Sequence, residues 1–554
     1  MQGRIFRGMS PNEILRMLRE SEGYYLCNNE RDVSQSDFKN RLLPMTTARV
    51  APYREAVGFF SVEVSGGASV HVDLMRKQVD PFERLRIAQK AMPRTLLQTV
   101  CRGSSLFGYR HYPENVIRLS VRKFARYVDV WRVYDFLNHV PNMMPVMEEV
   151  QKAERLLMPS VCFSTGPEHT DRYYVDKVRE ILEVTGPDVI ISIKNYAGLG
   201  TPKRISQLVE SICAAIPGLV LHYHGCNTDG NDIGRMSAAV LAGAKICDVA
   251  DHGYGSIYGQ APALSLIQAL DDYGKRPVGV SIPALVQSSD LLRRERKIYE
   301  QFESPFRGHD PTVAAYKLTG GAVGSTFEQA DKGGFLDRMP EILTEMARVQ
   351  TELGNWWSVT PGSQILWTTA VNNVLYGRYE RPSLDLKNLL LGRYGPLPFF
   401  QPEAWICEKV LEYQRYDGKK WRQILAEEAG IQKSGDADLE MERRRLEGEL
   451  DRPVNEEELV LYLQFPFDAL SFFKFQTRYG KVWMLPPEVW FRQGGFKDGE
   501  RISFADEFGV PHYIEVISTR REGANVLTTL VVDHSFQSFS VQVEGTNETA
   551  APGE

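Results

Sequence analysis

The chain has 554 residues, a formal net charge of −6, 43% hydrophobic and 25% charged residues, which predicts two or three domains of ordinary globular composition. The near balance of 65 basic and 71 acidic side chains leaves no footprint for nucleic acid or an anionic membrane surface. No run of about 18 apolar residues predicts membrane insertion. An N-terminus without an apolar leader, and seven cysteines with no C-x-x-C pair, predict a cytoplasmic chain with buried thiols.

From about residue 20 to 300, apolar runs alternate with amphipathic stretches such as RYYVDKVREILEV. The runs are VGFFSVEV, RTLLQTV, VDVWRVYDF, SVCFSTG, DVIISIKN, LVLHYHG and AKICDVA. Repeated βα units predict a parallel sheet, and their number, with no G-x-G-x-x-G after the first strand, predicts a TIM (β/α)8 barrel over residues 1–330. Polar residues fall where strands would end: Arg31, Asp32, Arg102, Asp135, Lys194, His222 and His224. In a barrel such ends converge on the catalytic face. Beyond 330 the pattern turns helical (PEILTEMARVQTELG, PEAWICEKVLEYQR) and predicts a mostly helical domain over 331–470 that completes an active-site funnel. Within it SGDADLEMERRRLEGELDRPVNEE reads as solvated helix or linker. Period-two alternation in ISFADEFGVPHYIEVIS and NVLTTLVVDHSFQSFSVQVEG predicts a small β module over 471–554, with a frayed tail TNETAAPGE.

In the run ending His222-Tyr223-His224, side chains at i and i+2 share a face. The two imidazoles either share a metal or are two satisfied polar groups at a strand end. Lys194 sits among isoleucines in IISIKN, where an ammonium is costly to bury. It is either a structural ion-pair partner or an amine that takes up CO2 and, as a carbamate, becomes an anionic oxygen ligand. Asp32 could supply a fourth donor. Two imidazoles and two oxygens suit zinc or manganese.

The segments GFFSVEVSGGAS, MPRTLLQTVCRGSSLFGYRHYPENV, DVWRVYDFLNHVPNM, IKNYAGLGTPK, HYHGCNTDG and SVTPGS resemble, in that order, the signature segments of the biotin-dependent carboxyltransferases acting on pyruvate and oxaloacetate. The resemblance implies carboxyl transfer between carboxybiotin and a 2-oxo acid. It implies a metal held by Asp32, carboxylated Lys194, His222 and His224, a keto acid held by Arg31, Gln35 and Arg102, and a biotin pocket at Tyr109 and Ser363. Thr360 matches the family's catalytic threonine, which shuttles a proton between the biotin ring nitrogen and the enolised substrate, with Arg102 stabilising the charge that develops. No Met-Lys-Met signature occurs, so biotin is expected on a separate carrier protein, with a biotin carboxylase subunit as a further partner. Relatives assemble as dimers or tetramers, which implies a homo-oligomer.

Four positions depart from the family pattern. Ser34 and Asn195 replace a histidine and an aspartate, His71 replaces a substrate-site aspartate that nearby Asp73 could replace functionally, and Leu391 stands where relatives have a biotin-pocket lysine. These departures favour an alternative, a biotin-independent metal-dependent lyase or aldolase acting on a 2-oxo or 3-hydroxy acid, against which Thr360 and Ser363 speak. A silent scaffold has no need of a complete ligand set.

Overall fold

The computed structural model describes residues 6–254, 257–303, 308–318, 320–399, 401–413, 418–423, 436–491, 497–505, 510–523 and 525–542; the tail TNETAAPGE lies outside them. Eight parallel strands close into a barrel in sequence order: β1 Tyr25–Asn28, β2 Ser61–Gly66, β3 Leu96–Cys101, β4 Val130–Val133, β5 Leu156–Cys162, β6 Ile190–Asn195, β7 Val220–Gly225 and β8 Ile246–Val249. Every residue of these strands is buried. Both barrel faces are covered, which is why the strands read as continuous apolar runs rather than as alternating ones. Seven strands coincide with the runs named above; the eighth, β1, has only four residues.

The interior is layered. At the N-terminal end, the first residues of seven strands (Tyr25, Leu96, Val130, Leu156, Ile190, Val220, Ile246) form one apolar cluster with Phe6, Ile14, Leu15 and Leu18. The last three belong to the helix Pro11–Glu20, which Ser10 and Glu13 start with a reciprocal capping box. Above this stopper the lining turns polar. Glu63 and Asp248 both pair with Arg132, and Gln98 donates to Glu63 (2.9 Å). Burial by itself would push both carboxyls up, but Arg132 outweighs it and holds them below the usual carboxylate range.

After the barrel the chain is helical through Ile282–Tyr299, Met339–Glu352, Gly362–Tyr376 and Leu384–Leu390. The charged stretch forms the helix Leu439–Leu450, followed by Glu456–Gln464, which opens on an Asn455–Glu458 capping box. Helix Pro466–Tyr479 runs across position 470. The C-terminal strands β9 Arg501–Ala505, β10 Pro511–Glu522, β11 Asn525–Val532 and β12 Ser535–Gln542 form an antiparallel sheet in the order β12-β11-β10-β9. No described helix is long and apolar enough to cross a membrane.

Candidate active site

At the C-terminal mouth of the barrel a cavity is lined by Arg31, Asp32, Gln35, Arg102, Lys194, His224 and Thr360, together with Gly67, Val100, Tyr134, Tyr196, Cys226 and Val359. Seven of the ten residues singled out in the sequence therefore meet in one place, drawn from five segments of chain. The helix Glu30–Phe38 follows β1 directly. Its cap Asn29 accepts from the Asp32 backbone N–H (3.2 Å) and donates to Asp248 (2.8 Å), which ties the helix start to the barrel. Arg31 lies between carboxylates: Nε donates to Glu63 Oε1 (2.7 Å) and Nη1 to Asp32 Oδ1 (2.7 Å) and Gln35 Oε1 (3.1 Å). Gly67, at φ +56°, makes room for this arrangement, because a Cβ there would sit 3.0 Å from Gln35 Oε1 and 3.2 Å from Arg31 Nη1.

Arg102 follows β3. Its Nη1 donates to the carbonyls of Phe107 (2.8 Å) and Gly108 (2.9 Å), its Nε is buried without a hydrogen-bond partner among the described residues, and its guanidinium lies 5.0 Å from the Tyr109 ring centroid. Tyr109 itself is 41% exposed and lies outside the cavity lining. On the far side, the Tyr134 hydroxyl donates to the Thr360 carbonyl (3.1 Å), and Thr360 Oγ1 lies 3.3 Å from Ser363 Oγ, in the first turn of the helix Gly362–Tyr376. Ser363 reaches the cavity only through Thr360.

Lys194 and His224 face each other across the β6–β7 register, with Lys194 Nζ 3.3 Å from His224 Nε2 and Asp32 Oδ2 3.7 Å from the same nitrogen. His224 Nδ1 lies 2.6 Å from Asp248 Oδ2, so a proton held there leaves the Nε2 lone pair facing the cavity. Burial, with Lys194 next, pushes His224 down to about 4, which keeps the ring neutral. Burial likewise pulls the Lys194 ammonium down, with Asp32 opposing. For Asp32, burial is outweighed by Arg31, His224 and Lys194, and the carboxyl stays below its usual range. Gln260 Nε2 donates to Asp32 Oδ2 (2.7 Å) and to the Gly225 carbonyl (3.2 Å), locking helix start and strand end together.

His222 does not join this group. It is level with Ser192, one layer below the Lys194–His224 pair. Both ring nitrogens are engaged, Nδ1 with Ser192 Oγ (2.9 Å) and Nε2 with Asp248 Oδ1 (2.9 Å). The residue the sequence reading missed is Cys226, two beyond His224. Ligand atoms of Asp32, His224 and Cys226 all lie within 4.8 Å of one another. With Lys194 Nζ beside them, this buried N, O and S donor set fits a divalent metal ion.

The departing positions have structural explanations. Ser34 Oγ accepts from the Leu42 N–H (3.4 Å), and Asn195 closes the loop after β6 by donating to the Leu199 carbonyl (2.8 Å) and the Tyr223 hydroxyl (3.0 Å). His71 stacks on Phe465 (4.6 Å, 5°) and bonds Asp468 (2.8 Å), joining the barrel to the helix Pro466–Tyr479. Asp73 does not serve the cavity: it is paired with Arg84 and Lys77. Asp135 accepts from the N–H groups of Leu137 and His139 and from Asn142, and so orders the loop after β4. Leu391 packs on the main apolar core.

The family model for a conserved carboxylase domain matches residues 313–515. A pyruvate carboxylase subunit of Methanocaldococcus jannaschii is 30% identical over 507 residues, 89% of this chain and 87% of that one. This chain belongs to the biotin-dependent carboxyltransferase family. Another member, the 2-oxoglutarate carboxylase large subunit of Hydrogenobacter thermophilus, is 29% identical over 439 residues, 78% of this chain and 64% of its own length. The carboxyl transferase domain of Rhizobium etli pyruvate carboxylase, solved with pyruvate and biocytin, superimposes with a TM-score of 0.88 at 26% identity, covering 97% of this chain and 91% of that one.

Proposed function

We propose that this carboxyltransferase moves a carboxyl group between carboxybiotin on a separate carrier protein and pyruvate or a related 2-oxo acid. The observation that carries this reading is the convergence on one cavity of three kinds of group: the cations Arg31 and Arg102, the Asp32–Lys194–His224 cluster, and the hydroxyl of Thr360. Arg31, Gln35 and Arg102 bind and orient the keto acid, and the two guanidiniums stabilise the negative charge that develops on its carbonyl oxygen as the carboxyl group leaves or arrives. Thr360 Oγ1 gives a proton to the biotin ring nitrogen and takes one from the substrate carbon, since a hydroxyl both donates and accepts. Ser363, 3.3 Å away, orients that hydroxyl, and Tyr109 at the rim meets the biotin ring. Asp32, His224 and Lys194, the last as its carbamate, hold a divalent ion such as zinc or manganese, which when bound polarises the keto carbonyl as a Lewis acid.

The chain works together with a biotin carboxyl carrier and a biotin carboxylase, as a homo-oligomer in the cytoplasm. The test is CO2 release from oxaloacetate with and without free biotin. Biotin-stimulated release that disappears in Thr360→Ala, with bound metal unchanged, is the expected result. Release indifferent to biotin would transfer the site to the lyase reading.

A further inference from the structure

We infer that Cys226 completes the metal centre as a thiolate ligand, and that the centre therefore takes a thiophilic divalent ion, zinc or cobalt, in preference to manganese or magnesium. The inference rests on the metal-centre reading above and concerns this chain's own fourth donor. Side chains along β7 alternate, so His222 and His224 follow one another up the same inward line, and Cys226, just past the strand's end at Gly225, lines the cavity beyond them. Register puts the first a layer too deep, level with Ser192, and the second level with Lys194. Cys226 comes next toward the mouth.

Its backbone is held firmly. Arg235 Nη2 donates to the Cys226 carbonyl (3.2 Å), and Gln260 fixes the preceding Gly225 carbonyl. Gly198 permits this approach, because a Cβ there would lie 2.3 Å from the Cys226 oxygen. Cys226 is 3% exposed, lines the cavity, and makes no side-chain hydrogen bond among the described residues. A buried sulfur without a partner, within 4.8 Å of a carboxylate oxygen and an imidazole nitrogen, is placed as a ligand. Sulfur is a soft donor, which zinc and cobalt accept and manganese and magnesium avoid. On binding, the thiol proton leaves to solvent and the sulfur–metal bond replaces it.

The experiment uses the full chain stripped with chelator and reloaded with cobalt(II). A near-ultraviolet sulfur-to-cobalt charge-transfer band in the wild type, absent from Cys226→Ser and kept in His222→Gln, is expected. Zinc-edge X-ray absorption should show one sulfur at about 2.3 Å. In competition dialysis, Cys226→His should lower the zinc-over-manganese preference by about tenfold or more. Cobalt bound without the band, or a zinc shell of nitrogen and oxygen alone, overturns the thiolate assignment and leaves the metal reading standing. Failure to bind any of these ions overturns both.

Discussion

Replacing His222 separates a support of the barrel interior from a ligand at its mouth. The ring is fully buried and bridges Ser192 Oγ and Asp248 Oδ1, each at 2.9 Å. His222→Ala leaves two buried polar groups short of a partner, at about 1–3 kcal/mol each, and opens a ring-sized void. Asp248 keeps Arg132, His224 and Asn29, so the loss should stay on the order of 4 kcal/mol. Because Asp248 also orients His224, metal affinity should fall by about 10–100-fold and remain measurable. His224→Ala and Asp32→Ala should abolish binding. Urea or thermal unfolding gives the first quantity, and equilibrium dialysis with elemental analysis the second. His222→Gln, which retains one hydrogen bond, supplies a milder variant should the alanine protein fail to fold. A His222 variant with an unchanged unfolding midpoint and no bound metal would refute the assignment.

Arg132→Met should destabilise the chain by several kcal/mol, about 3–5, because it strands Glu63 and Asp248 in the barrel interior; an unaltered melting temperature would contradict the network. Gly67→Ala should raise KM for the keto acid at least about tenfold, since the new methyl crowds Gln35 and Arg31 at φ +56°, and unaltered kinetics would remove those residues from the substrate site. Burial, with Lys317 next, pushes His169 from 6.5 down to about 4. The unfolded chain then takes a proton that the native state resists, so stability is full above pH 6.5 and falls between 6.5 and 4, by on the order of 3 kcal/mol. His169→Phe should flatten the pH dependence of the melting temperature in that window, leaving a residual slope from His111 and His224, which are also pushed down to about 4; an unchanged slope would count against it.

The barrel was legible because strands buried on both faces announce themselves as apolar runs. Tyr25–Asn28 was too short to do so. Lys194 and His224 were legible for a related reason, since polar groups at the ends of such runs have few structural excuses, whereas Asp32, in the helix after the short β1, was placed by the family resemblance. Depth was not legible. Alternation puts His222 and His224 on one face, but residues two apart along a strand differ in height by about 6.6 Å. Only the β6–β7 register shows that one belongs to the interior network and the other to the cavity. The same arithmetic would have pointed onward from His224 to Cys226, but a lone cysteine among seven without a C-x-x-C pattern gave no reason to look. His71 and Asn195 were unreadable because their partners, Asp468 and Phe465 for one and Leu199 and Tyr223 for the other, are set by loop and helix packing rather than by period.

The apolar stopper of Phe6, Ile14, Leu15 and Leu18 under the strand origins makes the barrel a vessel with one doorway. Reactants and products pass the same rim, so traffic becomes a queue. In the function proposed above, a small keto acid seated beside Lys194 loads before the bulkier biotin ring arrives at Thr360 and leaves after that ring has withdrawn. In that reading the closed floor imposes the order of addition, without any moving part.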